Sequence, residues 1–178
     1  MKIFKKLFGE KKSNIKNKPI EQSAMKGKNE AVAVKFSVRI LDVAGFPFEL
    51  MLNTELSDIY THTHKNYNWL WTVTIKSLDN NEEGLPTVSE RKKLMDFMQQ
   101  IIQTVLKEND IRVVGTSIHK EMYDIMFYAK QEDTANIGGT IAGMPSYMED
   151  VKGRFLNYNG IEDAEWESVQ LYSEAFKN

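Results

Sequence analysis

Two of the three histidines stand two residues apart, in His62-Thr63-His64. On an extended segment, side chains at i and i+2 point the same way, so both imidazoles fit one metal ion. A zinc site needs a third protein ligand. The chain has no cysteine, so that ligand would be His119 or a carboxylate. The alternative is a pair of solvated histidines in a polar connector, and a two-ligand spacing taken alone favours it. No metal or other cofactor is therefore assigned. A small metal- or ligand-dependent enzyme using His62, His64 or His119 stays as an alternative expectation.

The remaining chemistry-bearing residues have simpler readings. The acid pairs Glu82-Glu83, Glu132-Asp133, Glu149-Asp150 and Glu162-Asp163 fall in turns and helix starts, where carboxylates serve solubility and capping. No Gly-x-Ser-x-Gly elbow accompanies the Ser, His and Asp residues, and no catalytic residue is assigned. Gly138-Gly139-Thr140-Ile141-Ala142-Gly143 lacks the Lys-Ser/Thr of a phosphate loop and the glycine spacing of a dinucleotide fingerprint. Close packing of a helix on a sheet is the expected reason for these glycines. Trp69, Trp71, Tyr123 and Phe127 have the strand spacing of base-stacking aromatics, but a core role explains them more simply. Nucleic acid is not an expected partner.

These residues must be positioned by a chain of 178 residues, 42% hydrophobic and 11% aromatic, which is long enough for one domain with a sizeable core. Val32, Val34, Phe36, Val38 and Ile40 alternate with Ala33, Lys35, Ser37 and Arg39, the pattern of a half-buried strand. Gly45 and Pro47 punctuate a turn, and Phe46, Phe48, Leu50 and Leu52 alternate again. A hairpin is thus expected over 31–53. A third strand follows a polar connector and carries Trp69, Trp71, Val73 and Ile75. Thr87-Val88-Ser89-Glu90 is a capping box opening a helix with Leu94, Met98, Ile101, Ile102, Val105 and Leu106 on one face. Asn109 is placed to end it in the left-handed conformation.

Two strands, 111–119 and 122–130, join around Lys120. Asp133 or Thr134 opens a short helix that Pro145 stops. A last strand runs from Met148 to Tyr158, Asn159-Gly160 turns the chain, and Asp163 caps a final helix with Trp166 and Val169 on one side. The order is ββ, βαββαβ, α. The expected fold class is α+β, with a ferredoxin-like βαββαβ core, an N-terminal β-hairpin and a C-terminal helix, all within a single domain over 31–178.

Residues 1–30 differ from the rest. Residues 1–28 hold nine Lys and two acids, a net +7, against −9 for the remainder. Residues 9–30 are too poor in large apolar residues to offset their ordering entropy, and read as a mostly disordered linker. Within 1–8, Ile3, Phe4, Leu7 and Phe8 share one helical face beside Lys5 and Lys6. This octapeptide reads either as a weak contact with an anionic membrane or a partner, or as a solubilising extension. The start lacks the apolar run of a secretory signal, and no apolar stretch approaches the roughly 20 residues of a membrane span. Cytoplasm is the expected compartment, with peripheral attachment to the inner membrane face as its variant.

Several of these features recur together in one family. They are Gly84-Leu85-Pro86-Thr87-x-x-Glu90 before an amphipathic helix, Val114-Gly115 before a second strand, Phe127-Tyr128-Ala129 within it, and Asp163-x-x-Trp166 near the end. In that order they resemble a bacterial family of uncharacterised proteins, domain of unknown function 695, over roughly 31–175. Gln99-Gln100 stands where that family often carries an acidic pair. A fainter, fold-level likeness links such domains with the protein regulators of ribonuclease E. The resemblance implies a fold and, through the regulators, a binding role. The leading expectation is a non-enzymatic interaction or regulatory module whose partner is a protein, working through a sheet face or groove.

Overall fold

The computed structural model describes residues 16–17, 25–26, 31–32, 36–43, 45–54, 66–146, 153–154 and 156–174. His62, His64, the amphipathic octapeptide and the Glu149-Asp150 pair lie outside these residues. Six strands of seven to nine residues build one antiparallel sheet: β1 (Phe36–Val43), β2 (Phe46–Asn53), β3 (Trp69–Lys76), β4 (Ile111–His119), β5 (Met122–Ala129) and β6 (Leu156–Glu162). Three helices accompany them: α1 (Val88–Leu106), α2 (Thr134–Gly143) and α3 (Glu167–Glu174). The class is α+β. Across the sheet the order is β1-β2-β4-β5-β3-β6.

Within the stretch read as linker, Lys16–Asn17 pairs with Arg39 and Ile40 on the outer edge of β1, and Met25–Lys26 pairs with Ala31–Val32. The edge of β1 offers backbone groups that a polar segment can satisfy without a core of its own. Ala31–Val32 therefore belongs to a separate short ladder, and the hairpin strand starts at Phe36.

The hairpin turns at Gly45, whose φ of +85° suits glycine. Asp42 Oδ1 accepts the Gly45 N–H at 2.8 Å. Pro47 lies inside β2 opposite Asp42 rather than in the turn. It is tolerated there because pairing of β2 with β4 begins only at Glu49, so no ladder bond needs its missing N–H.

Strand β3 sits between β5 and β6. Its odd residues Trp71, Val73 and Ile75 join Leu94, Phe97, Met98, Ile101, Ile102 and Val105 of α1, and Ile137 and Ile141 of α2, in one core. Leu70 faces the other way, with Leu50, Leu52, Val114, Met126, Tyr128, Trp166 and Val169. The sheet is thus buried on both faces, by α1 and α2 on one side and by α3 on part of the other. A bulge between Val113 and Gly115 shifts the alternation of β4 by one residue. Val113 and Ile118 consequently share the helix-side core although they stand five positions apart, an odd step that would put them on opposite faces of a regular strand.

Four local expectations are corrected. Asn109 is not left-handed. It is buried, and both its backbone N–H and its side-chain amide donate to Val105 O, at 3.1 and 2.8 Å. The last strand runs over 156–162, so Asn159-Gly160 lies within it and not in a turn. Trp71 is the cause: it pairs with Gly160, and a Cβ there would stand 2.9 Å from its indole. The glycine is an aromatic ring's bed, which local turn chemistry imitates. The α2 glycines are not required by close packing. A Cβ at Gly138 would meet Trp71 at an ordinary 3.5 Å, and Gly139 and Gly143 face open space. Finally, Asp133 makes no side-chain cap, and Thr134 Oγ1 instead donates to Gln131 O at 2.7 Å, within a preceding 3-10 turn.

Candidate functional site

The motif residues that carry the family resemblance are structural. Thr87 caps α1, its Oγ1 accepting the Glu90 N–H at 3.3 Å. Gly84 and Leu85 shape the preceding loop, which Asn81 Oδ1 staples by accepting the Glu83 and Leu85 N–H groups at 3.0 Å. Pro86 bridges to Asn80. Glu90 does more than the capping box asks. It is 1% exposed and meets Arg154, 6% exposed, in a two-pronged ion pair at 2.5 and 3.0 Å. Its Oε1 also accepts the Leu78 N–H at 2.8 Å. The Arg154 hydrogen bond holds the Glu90 carboxyl below the usual carboxylate range. Phe127 lies in the helix-side core. Tyr128 and Trp166 stack with centroids 3.8 Å apart. Asp163 accepts the Tyr128 hydroxyl at 2.6 Å and the N–H groups of Glu167 and Ser168 at 2.9 and 3.2 Å.

His119 closes β4, half-buried, with its ring 5.8 Å from Phe48. Burial, aided by Lys120, pulls its pKa down. Asp124 lies on the same face, its pKa pushed up by burial while hydrogen bonds from Thr74 and Ser117, at 2.6 and 3.3 Å, oppose the rise. Both Asp124 oxygens are thus engaged by hydroxyl groups. Among the described residues no group of three His, Asp or Glu is placed to hold a metal ion. Trp71, Tyr123 and Phe127 are buried beneath α1 and α2, where no base can stack on them.

A second polar cluster escaped the sequence reading. Tyr67 donates its hydroxyl to Asp110, which also pairs with Arg112 at 2.8 Å and Lys130 at 3.4 Å. The Arg112 guanidinium lies 4.4 Å over the Tyr67 ring. Burial and the Asp110 bond push the Tyr67 pKa up to about 12. Burial would raise Asp110, but Tyr67, Arg112 and Lys130 together hold it low. In this cluster one carboxylate serves two cations and a phenol, and the segment entering β3 is further pinned where the Trp166 indole N–H donates to Tyr67 O at 2.7 Å.

A broad cleft among the described residues lies at the other end of the sheet. There the β1–β2 turn, the loop before α1 and the β4–β5 turn border a cleft of about 840 Å³. Ile40 and Phe46 line it and are exposed by 36% and 49%, beside Leu41, Pro47 and Leu85. Among the described residues its lining also carries Asp42, Glu82, Glu83, Lys120 and Glu121. Lys120 lies 4.4 Å over the Phe46 ring, and Glu121 meets Lys76 at 3.6 Å. Local sequence builds each wall. Lys120 and Glu121 both take positive φ, 45° and 67°, the geometry of a two-residue hairpin loop. Ser77 N–H, donating to Glu121 O at 2.6 Å, ties that turn to the loop before α1. Glu82-Glu83 was legible as an acidic turn, but its alignment with the exposed Phe46 was not, since 36 residues of chain separate Phe46 from Glu82.

One protein family matches the chain, over residues 29–172, and it is described as a family of unknown function. No curated protein and no solved structure matches the chain.

Proposed function

We propose that this chain, a member of the family of unknown function DUF695, is a non-enzymatic interaction module whose cleft takes a basic peptide segment bearing apolar side chains. The observation that carries this reading is that exposed Ile40 and Phe46 line one cleft with Asp42, Glu82 and Glu83, beside Lys120 and the Glu121 that Lys76 pairs. An exposed aromatic beside acidic side chains matches the anchor-and-rim pattern of protein recognition. Like charges in the lining reject acidic or phosphorylated partners and speed the approach of basic ones. Nothing comparable supports the enzyme reading, since the Asp124 oxygens near His119 are already engaged by Thr74 and Ser117.

The frame fits such a role. The sheet order β4-β5-β3-β6, with α1 and α2 on one face, supports a ferredoxin-like core extended by the β1–β2 hairpin. The hairpin then supplies one wall of the cleft. A chain without cysteine suits the reducing cytoplasm.

The test is titration of isotope-labelled protein with a short synthetic peptide of Lys, Leu and Phe, read by amide chemical shifts. Shifts are expected at Gly45, Phe46 and Gly84. Phe46→Ser or Glu82→Lys with Glu83→Lys should each raise Kd at least about tenfold, which is about 1.4 kcal/mol. These residues are exposed, so the fold should survive. Equal binding of an acidic peptide, or binding indifferent to both variants, overturns the reading.

A further inference from the structure

We infer that the cleft's resident occupant is the chain's own N-terminal octapeptide, docked in cis through Ile3, Phe4, Leu7 and Phe8. This rests on the cleft being a site for basic apolar segments, and it adds the identity of one such segment and a consequence for regulation.

Three observations converge. The first is charge. Residues 1–28 carry +7 and the rest of the chain −9, and the cleft lining concentrates acids within that rest. The second is pattern. The spacing of Ile3, Phe4, Leu7 and Phe8 would put them on one face of a helix with Lys5 and Lys6 beside it, the counterpart of a cleft lined by apolar and acidic side chains. Helix-in-groove recognition uses anchors at this spacing.

The third is the direction of the chain. Lys16 pairs with Ile40 and Asn17 with Arg39, antiparallel to β1. Moving back from Lys16 therefore leads along β1 toward Leu41 and Asp42, both of which border the cleft, as Ile40 does. The eight residues from Phe8 to Lys16 reach at most roughly 28 Å, so the anchor at Ile40 keeps the octapeptide within reach of the cleft. A tether this short sets an effective concentration in the millimolar range. Even a weak contact is then well populated, and any partner in trans must displace it. The octapeptide thus acts as a built-in competitor that sets the threshold for partner binding.

The chain lacks cysteine, so Gly9→Cys gives one attachment point for a nitroxide on the full-length protein. Broadening of the Phe46 and Gly84 amides is expected at low salt. It should fall when Ile3, Phe4, Leu7 and Phe8 are all changed to Ser, which leaves the tether and its charge intact. It should fall likewise with Glu82→Lys and Glu83→Lys. The same Ser variant should bind the synthetic Lys/Leu/Phe peptide at least about tenfold more tightly than the unaltered chain, because the competitor is gone.

Broadening that persists in the Ser variant reflects tethering alone and overturns the inference. So does broadening that appears only between mixed labelled and unlabelled copies, which assigns the octapeptide to a second chain. Absence of broadening, together with sedimentation on phosphatidylserine vesicles, gives it to a membrane and also overturns it. If the octapeptide fails these tests while the synthetic peptide still shifts Phe46 and Gly84, self-docking falls and the cleft remains a peptide site. If the peptide fails too, both readings fall.

Discussion

Glu90 and Arg154 place two full charges almost completely out of water. Such a pair is tolerable only because the geometry is two-pronged and the spare acceptor capacity is used. The Leu78 N–H donates to Glu90 Oε1 at 2.8 Å, and the Lys76 carbonyl accepts from the Arg154 guanidinium at 3.0 Å. Removing one partner strands the other, so Arg154→Met should cost about 3–5 kcal/mol in urea denaturation. Glu90→Leu in the same chain should restore part of it. The pH dependence follows from the lowered Glu90 pKa, whose main cause is Arg154. The stabilisation is complete above the unfolded-state value of about 4.3 and is lost as pH falls through the lower folded value. Glu90→Gln should therefore flatten the acid limb of the stability profile, and an unchanged limb would show that the pair does not govern it. The capping box made Glu90 legible. Arg154 was not, because it comes from a segment 64 residues away.

At the level of elements, Asp163 anchors the start of α3. The helix spans eight residues, too few for independent stability in water. Asp163 caps its first N–H groups and accepts the Tyr128 hydroxyl, while Trp166 stacks on the Tyr128 ring. Asp163→Ala removes the cap, typically about 1 kcal/mol, and the charge-assisted bond it accepts from the Tyr128 hydroxyl, about 1–3 kcal/mol more. A total near 2–4 kcal/mol is expected, with loss of the near-ultraviolet circular dichroism of Trp166. Tyr128→Phe should lose less, because it removes donor and burden together. Unchanged stability in the Asp163 variant would mean that α3 is held by Trp166 and Val169 burial alone. Asp163 and Trp166 were readable as a helix start. The contact that anchors it to β5 was not.

For the whole molecule, the decisive position is Gly115. It lies at the β4 bulge with φ of +153°, where a Cβ would stand 2.0 Å from Met51 O. That contact joins the β1–β2 hairpin to the four strands beyond it, and the bulge sets which side chains enter which core. Gly115→Ala combines backbone strain with a collision against backbone, and should lower global stability by at least about 3 kcal/mol. Both cores border this junction, so a single cooperative transition should shift as one. A transition that splits, with the hairpin melting first, would show the two cores to be independent. The hairpin's attachment also matters for the cleft, since Ile40 and Phe46 reach it only through this seam.

The sequence by itself determined the order of the longer elements, the α1 cap, the alternation that makes β1 through β3 strands, and the opposed charge of the first 28 residues and the rest. All are local: period, caps and charge are properties of neighbours along the chain. Tertiary structure alone decided the rest. The bulge at Gly115, the β6 register around Trp71 and Gly160, the Arg154 partner of Glu90 and the meeting of Phe46 with Glu82-Glu83 all join residues far apart in the chain. Each is set by which backbone lies alongside which, and by the volume and charge that pairing brings together. Three histidines drew the eye in the sequence. The cleft that the fold assembles is made instead of an exposed phenylalanine and turn carboxylates, residue types that announce nothing until they share one surface.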